Sequence, residues 1–211
     1  FESNLISGVY HLENGNTDKA KIYFEKLKYQ SQPNTIKNLL SASLNSWMNS
    51  NDIDSALSNL KSLPSRFENI KKIQEVFAYC HFDSKKTDEV FRKLTANPKI
   101  NYSRYHFFYA NYLASKGQQK QAKDVLKSSL YLNPKNLILN QLQTDLYQKQ
   151  NNRDQFDCKE SKDVIAEIFF VIANGLSSQE NYTFSNFYLN LAKYLNSNFL
   201  SYEILYAENF N

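Results

Sequence analysis

The segment 105–136 places the strongest constraint on how this chain folds. Its apolar residues recur at helical spacing in two runs, and the first run ends at Lys116-Gly117. This spacing is typical of two amphipathic helices joined by a tight turn. Ala110 and Ala122 are small enough to let the two helices approach closely, and Gly117 suits a turn that needs a positive φ. The segment therefore predicts a helical pair.

The same pattern recurs along the rest of the chain. Residues that fit the second helix of each pair return at similar intervals: Ala20, Ala56, Val90 and Ala122. All 4 prolines fall where a second helix should end and the next pair should begin: Pro33, Pro64, Pro98 and Pro134. A proline cannot continue the preceding helix and is tolerated in the turn that follows it. These two series predict a chain of repeated helical pairs.

The spacing within the best pair resembles a known repeat. His106-x2-Tyr109-Ala110-x2-Leu113, followed by Ala122-x3-Leu126, resembles the tetratricopeptide (TPR) pattern, which repeats about every 34 residues. The match lies in spacing and side-chain size, not in residue identity. The resemblance implies an all-α fold, a TPR-like α-α superhelix (solenoid) of about eleven or twelve helices in antiparallel pairs. It is closest to the divergent bacterial proteins of this type, many of which are exported.

On this interpretation residues 1–211 form a single TPR-like solenoid. Asn34 or Thr35 is the predicted N-cap of the third helix. Asp52 and Asp88 are predicted to cap or begin the second helices of their pairs, and Asn181 or Thr183 to cap that of the sixth unit. The fifth unit is irregular, because residues 150–163 are polar and lack a clear second helix. The predicted units are about 1–34, 35–64, 65–98, 102–136, 137–163 (irregular), 164–197 and a half unit, 198–211.

Composition and motifs argue against several classes of function. The net charge is +4, with Lys, Asp and Glu scattered along the sequence, so we expect no nucleic-acid partner. No run of about 18 apolar residues predicts a membrane span. No catalytic or phosphate-binding motif is present, and His11, His81 and His106 are predicted to be packing residues. We therefore predict a protein that is not an enzyme and that needs no cofactor or metal.

The two cysteines leave their redox state open. Cys80 and Cys158 lie far apart in the sequence and have no CxxC spacing, so a zinc site lacks ligands. Free, partly buried thiols are predicted in preference to a disulfide.

Two functions of different classes fit a TPR-like chain. In the first, it is a protein-protein interaction scaffold that binds a protein or extended peptide on its concave face. In the alternative, it is a TPR dimerisation or positioning module of a larger enzyme or envelope assembly. Abundant Asn, Lys, Ile and Tyr suggest an AT-rich genome, and the resemblance implies a bacterial source. The resemblance favours a periplasmic or envelope location over the cytoplasm. The full-length reading frame would distinguish the scaffold from the dimerisation or positioning module.

The resemblance also implies a binding face. In TPR proteins the first helix of each pair lines the concave surface, and Asn recurs one position after the small residue of the first helices. An amide can both donate to and accept from a peptide backbone. Aromatic and Met side chains flank these positions, which suits apolar anchors of a ligand. The predicted partner-binding residues are Asn45, Met48, Tyr79, Phe82, Phe107, Asn111, Phe170 and Asn174.

The C-terminal helix predicts a second contact. Phe199, Leu200, Ile204, Leu205 and Tyr206 give it an apolar face, and an uncovered face of this kind usually finds a partner. We therefore predict self-association through this helix. The alternative is that the helix covers the sixth unit.

Overall fold

The computed structural model describes residues 1–33, 35–96, 101–148, 156–199 and 201–210. Across these residues the chain is all-helical and contains no strand, which confirms the prediction that the fold is all-α. Two short 3-10 helices, Leu27–Gln30 and Ser65–Phe67, accompany twelve α-helices. The α-helices are α1 (Glu2–Glu13), α2 (Thr17–Lys26), α3 (Ile36–Asn49), α4 (Ile53–Leu60), α5 (Glu68–His81), α6 (Thr87–Thr95), α7 (Ser103–Ser115), α8 (Gln119–Leu132), α9 (Leu137–Gln148), α10 (Ser161–Ser177), α11 (Tyr182–Leu195) and α12 (Ser201–Glu208).

Side-chain caps begin α3 and α4, as predicted, whereas Asp88 lies in the first turn of α6 and Asn181 precedes α11 without a side-chain cap bond. The Thr35 hydroxyl oxygen accepts a hydrogen bond from the Asn38 backbone N–H at 3.2 Å. At the start of α4, Asp52 accepts from the backbone N–H of Ser55 at 2.7 Å, and the Ser55 side chain bonds back to the Asp52 N–H. Each cap satisfies backbone donors that the first helical turn leaves unpaired. Asn34, the other predicted cap of α3, lies outside the described residues.

One backbone turn recurs at the ends of α1, α5, α7 and α10. After α7, Gly117 donates to the Ala114 carbonyl oxygen and Gln118 donates to that of Leu113, both at 2.9 Å. This is the Schellman pattern, which needs one residue with a positive φ. The prediction that Gly117 adopts a positive φ in a turn is confirmed. The four residues in this conformation are Gly15 (φ 72°), Asp83 (φ 53°), Gly117 (φ 76°) and Glu180 (φ 59°).

The chain divides into two compact units. The continuous unit is Lys85–Gln155 and contains α6 to α9, in which α7 contacts α6, α8 and α9. Its core includes Phe91 and Phe107, whose side chains are fully buried. The contacts of α7 with α6, α8 and α9 join helices that are close in sequence.

The split unit combines two separate stretches, Phe1–Ser84 and Phe156–Asn211. Sequence neighbours pair here as well, with α1 on α2 and α10 on α11. In addition, α10 contacts α3 and α5, and α1 contacts α11. Because α10 also carries the buried side chains of Ile165 and Phe169, it lies at the centre of this unit.

The prediction of free thiols is wrong, because Cys80 and Cys158 form a disulfide. Their Cα atoms are 5.9 Å apart, within the range that a disulfide requires. Cys80 is in the last turn of α5, and Cys158 precedes α10, which contacts α5. The sequence separation of 78 residues hid this proximity.

The irregular fifth unit is described only in part. Residues 156–160 are non-helical, as predicted, but α10 begins at Ser161, inside the segment predicted to be loop. Residues 150–155 of the predicted loop lie outside the described residues, as do Lys149, Pro98 and Leu200.

The last helix buries part of the apolar face that the sequence assigned to it. Phe199 and Leu205 are buried, and α12 contacts α11. Ile204 is exposed and Tyr206 is half-buried. This arrangement favours the alternative in which the helix covers the sixth unit, and self-association stays a prediction.

Candidate functional site

Six of the eight predicted partner-binding residues lie on α3, α10 or the end of α5 in the split unit. These helices contact one another, because α10 packs on both α3 and α5. Asn174 on α10 is exposed, and Met48, Tyr79 and Phe82 are half-buried. Phe170 is also half-buried, with its ring centroid 5.5 Å from that of Tyr202.

Asn45 differs from the other five, because it is only 6% exposed. Its side-chain nitrogen donates to the carbonyl oxygens of Phe24 at 3.0 Å and Ser41 at 2.7 Å. The bond to Phe24 links α3 to α2. Both acceptors are backbone oxygens of this chain, so the amide N–H groups of Asn45 support the packing of α3 on α2.

Phe107 and Asn111 lie on α7 in the continuous unit. The Phe107 side chain is 2% exposed, and its ring is edge-to-face with Phe108, with centroids 5.5 Å apart. Asn111 is half-buried. Phe107 is therefore a core residue, and Asn111 is the one of the two with side-chain surface open to solvent.

The residues one position after the small residue of each first helix thus have different environments. Asn45 is buried, Asn111 is half-buried and Asn174 is exposed. Asp145 in α9 is buried too, and its carboxylate accepts from the Gln141 side chain at 2.7 Å. The position has no single environment, although its spacing along the sequence is regular.

Residues 156–163 and the side chains that hold them to the end of α5 form a cluster that sequence reasoning missed. We name this cluster the clasp. Besides the disulfide, His81 Nδ1 is 3.1 Å from the Cys158 carbonyl oxygen. Lys159 forms an ion pair with Asp83 at 3.7 Å. Together these contacts fix the start of α10 to the end of α5. No local pattern signals them, because the partners are separated by more than 70 positions.

The clasp contains one titratable group with a shifted pKa. Asp163 is buried, and its carboxylate accepts from the Asp157 backbone N–H at 2.8 Å. Burial raises the pKa of Asp163 to about 6, although the Asp157 hydrogen bond and nearby Lys162 oppose the shift. The carboxyl therefore changes charge in mildly acidic solution.

The described residues contain neither a metal-binding cluster nor a membrane-spanning helix. In this part of the chain, no group of three or more His, Cys, Asp or Glu side chains is placed to hold a metal ion. None of the described helices is both long enough and apolar enough to cross a membrane.

The sequence matches no family model, and no curated protein has a significantly similar sequence.

Proposed function

We propose that this chain is a non-catalytic scaffold of TPR-like helical pairs that binds a protein or an extended peptide. The observation that carries the proposal is the recurrence of one turn geometry at a characteristic spacing. The positive-φ residues Asp83 and Gly117 lie 34 positions apart, and Gly15 lies 68 positions before Asp83. A TPR unit is 34 residues long. The interval to Glu180 is 63 positions, because the irregular fifth unit intervenes.

Close helix crossings within the pairs support the same proposal. A Cβ atom on Gly8 of α1 would lie 2.6 Å from Cδ1 of the Phe24 ring on α2. Ala110 and Ala122 are fully buried where α7 contacts α8. Small residues at such crossings let amphipathic helices bury their apolar faces against each other. Stacking of the pairs into a right-handed superhelix is the arrangement that the proposal implies.

The disulfide supports a location for this function. Disulfides persist in oxidising compartments and are rare in the cytosol. The Cys80–Cys158 bond is therefore an argument for the periplasm or cell envelope of a bacterium. The chain would act there as a binding module with its disulfide intact.

Site-specific photo-crosslinking tests the proposal. A photoreactive residue is placed at Asn111 or Asn174 on first helices, and at the exposed residues Lys19 or Asn190 on second helices as matched controls. Each variant is exposed to envelope extract under non-reducing conditions. We expect one protein to be captured reproducibly from the first-helix positions and not from the controls. Phe107 is unsuitable, because removing a buried phenylalanine costs about 3–5 kcal/mol of stability.

The captured protein is then purified and its affinity measured. Asn174→Arg should weaken its binding by about tenfold or more, because the substitution places a large charged group on the proposed face. Equal capture from first and second helices would contradict the proposal. Capture of a second copy of this chain would favour the dimerisation module instead.

A further inference from the structure

Charged residues that look scattered along the sequence divide unequally between the two units. The continuous unit carries 13 Lys and Arg against 5 Asp and Glu, a net charge of +8. The split unit carries 12 against 16, a net charge of −4. The modest net charge of the whole chain therefore conceals a strongly basic unit, and such a unit attracts anionic partners.

The basic residues of the continuous unit form a row along α8. Lys120, Lys123 and Lys127 follow one another at three- and four-residue spacing, so they lie within about 60° of helix arc. Lys116, in the turn before α8, extends the row toward the preceding helix. Lys116, Lys120 and Lys127 are exposed and Lys123 is half-buried. We name these four residues the lysine row.

Two members of the lysine row, Lys120 and Lys127, take part in no ion pair with another described residue. The exposed carboxylate of Asp124 is the single acidic group on α8. Like charges at i and i+4, such as Lys123 and Lys127, destabilise a helix. An anionic ligand would offset this repulsion.

Aromatic side chains accompany the lysine row. Lys123 Nζ lies 4.3 Å from the ring centroid of Tyr147 on α9, whose side chain is itself exposed. Tyr131, four residues after Lys127, is 86% exposed. Leu132 and Leu137, on either side of the turn between α8 and α9, are exposed as well. The row thus ends in an apolar group that an anion alone would not contact.

We propose that the lysine row binds an extended acidic polypeptide segment with an apolar residue at one end, anchored at Tyr131. The proposal rests on the proposed function, because it names the chemistry of the protein partner. The row is about 16 Å long, which about five residues of extended chain would span. Alternate residues of an extended chain lie about 6.6 Å apart, close to the helical pitch of 5.4 Å. Acidic residues at alternate positions would therefore meet successive lysines.

Two other anionic partners fit the row less well. A membrane is planar, whereas Leu132 lies about 120° around the helix from Lys120, so lysines and leucines would not reach one surface together. A nucleic-acid backbone would pair with the lysines but would leave the exposed leucines without a role. A flexible peptide can contact both groups. Charge complementarity and the apolar end together favour the polypeptide.

Fluorescence anisotropy with a synthetic probe tests the proposal. The probe is a labelled peptide of alternating glutamate and serine that ends in leucine and phenylalanine, and the control peptide has glutamine for each glutamate. We expect the full chain to bind the glutamate probe, more weakly as salt is raised. Lys120→Glu with Lys127→Glu should weaken binding at least about tenfold. Tyr131→Ala should weaken it about fivefold.

A matched charge control makes the test specific. Lys19→Glu with Lys28→Glu changes the net charge equally, but both lysines are exposed residues of the split unit. It should change binding less than about twofold. Circular dichroism checks that every variant is folded. Equal losses in the two double variants, or no binding of the probe, would overturn the proposal.

The remaining outcomes separate this proposal from neighbouring ones. A single-stranded oligonucleotide that binds more tightly than the peptide would overturn it in favour of nucleic acid. Binding to phosphatidylglycerol vesicles without binding to the peptide would overturn it in favour of a membrane. If the crosslinked partner binds undiminished by Lys120→Glu with Lys127→Glu, the scaffold function stands and this proposal fails.

Discussion

The continuous unit and the split unit differ in how far along the sequence their packing partners lie. In the continuous unit, α7 packs on α6, α8 and α9, and these partners all lie within Lys85–Gln155. In the split unit, α1 packs on α11, and α10 packs on α3 and α5. Bringing distant segments together carries a loop-closure entropy that neighbouring helices largely avoid. The split unit therefore depends more on specific long-range links.

Those links are visible as buried polar contacts and the disulfide. Trp47 Nε1 donates to Gln74 Oε1 at 3.2 Å, and Gln74 donates in turn to the Ser43 hydroxyl at 2.9 Å. Near the C-terminus, the Asn209 amide donates to the Ser185 hydroxyl at 2.9 Å. Buried polar groups of this kind are costly unless all are bonded, so they select one arrangement of helices. The helical pattern of the sequence therefore determines which neighbouring helices pair. The buried polar contacts and the disulfide determine how the helices of the split unit assemble.

Removing the disulfide should have the largest effect and should be confined to the split unit. Cys80→Ala with Cys158→Ala opens a loop across 78 positions, and the chain-entropy model gives a loss of about 4.5 kcal/mol. Trp47, the sole tryptophan, lies in the split unit with its ring 5.6 Å from that of His81. Its fluorescence in guanidinium titrations therefore reports that unit.

Hydrogen exchange at α7 serves as the control for the continuous unit. Its protection should not change in the double variant, and reducing agent should have no further effect on that protein. If α7 loses protection in parallel with the Trp47 transition, the two units unfold together and the comparison between them fails.

The buried Asp163 should make the split unit less stable as pH rises. Its folded pKa of about 6 exceeds the ordinary 3.8, so the folded state holds the proton more tightly. Stability is therefore lost between about pH 4 and pH 6, by at most about 3 kcal/mol. Asp163→Asn keeps an acceptor for the Asp157 N–H and removes the charge.

The variant should be more stable than the natural chain at pH 8 and equal to it at pH 4. Urea titrations at both pH values measure this difference. Asp54→Asn is a suitable control, since Asp54 is exposed in the first turn of α4. An equal gain in both variants would mean that net charge, and not the burial of Asp163, sets the pH dependence.

A pair of glycine substitutions in the split unit should have opposite effects. Gly8→Ala forces a methyl group into the Phe24 ring and should cost about 1–3 kcal/mol. Gly175→Ala meets no atom within 4 Å and should stabilise α10 by about 0.5–1 kcal/mol, because alanine favours the helix. Thermal unfolding of both variants measures the contrast. A neutral Gly8→Ala would mean that α1 and α2 do not cross closely there.

The smallest expected effect probes the continuous unit alone. The Tyr109 hydroxyl donates to the Asp88 carboxylate, which also pairs with Arg92. Tyr109→Phe should cost about 1 kcal/mol, since Asp88 keeps its other partner. Exchange of the α7 amides should rise while the Trp47 transition stays fixed. Tyr112→Phe is the matched control on the same helix, and an equal effect there would mean that loss of a hydroxyl in general, and not loss of the bond to Asp88, causes the change.

The sequence predicted the local structure well, for a physical reason. Helix positions follow from apolar periodicity, and turn positions from residues that tolerate a positive φ, such as Gly15 and Gly117. The caps at Thr35 and Asp52 involve neighbours only three residues away. Each of these features depends on a few consecutive residues, so each can be read without knowledge of distant contacts.

The candidate site was less predictable, because the environment of a side chain is not set by its repeat position alone. Asn45 and Asn174 occupy equivalent positions in their first helices, yet Asn45 is buried against the end of α2 and Asn174 is exposed. Phe107 has the spacing of a groove residue and lies in a core. The helix that packs on each face decides these outcomes.

By itself, the sequence determined an all-helical chain of paired helices with defined caps and turns, since these arise from interactions between near neighbours. Only the tertiary structure decided the Cys80–Cys158 bond, the burial of Asp163 and the division into an acidic split unit and a basic continuous unit. All three depend on which distant segments meet, and periodicity carries no information about that choice.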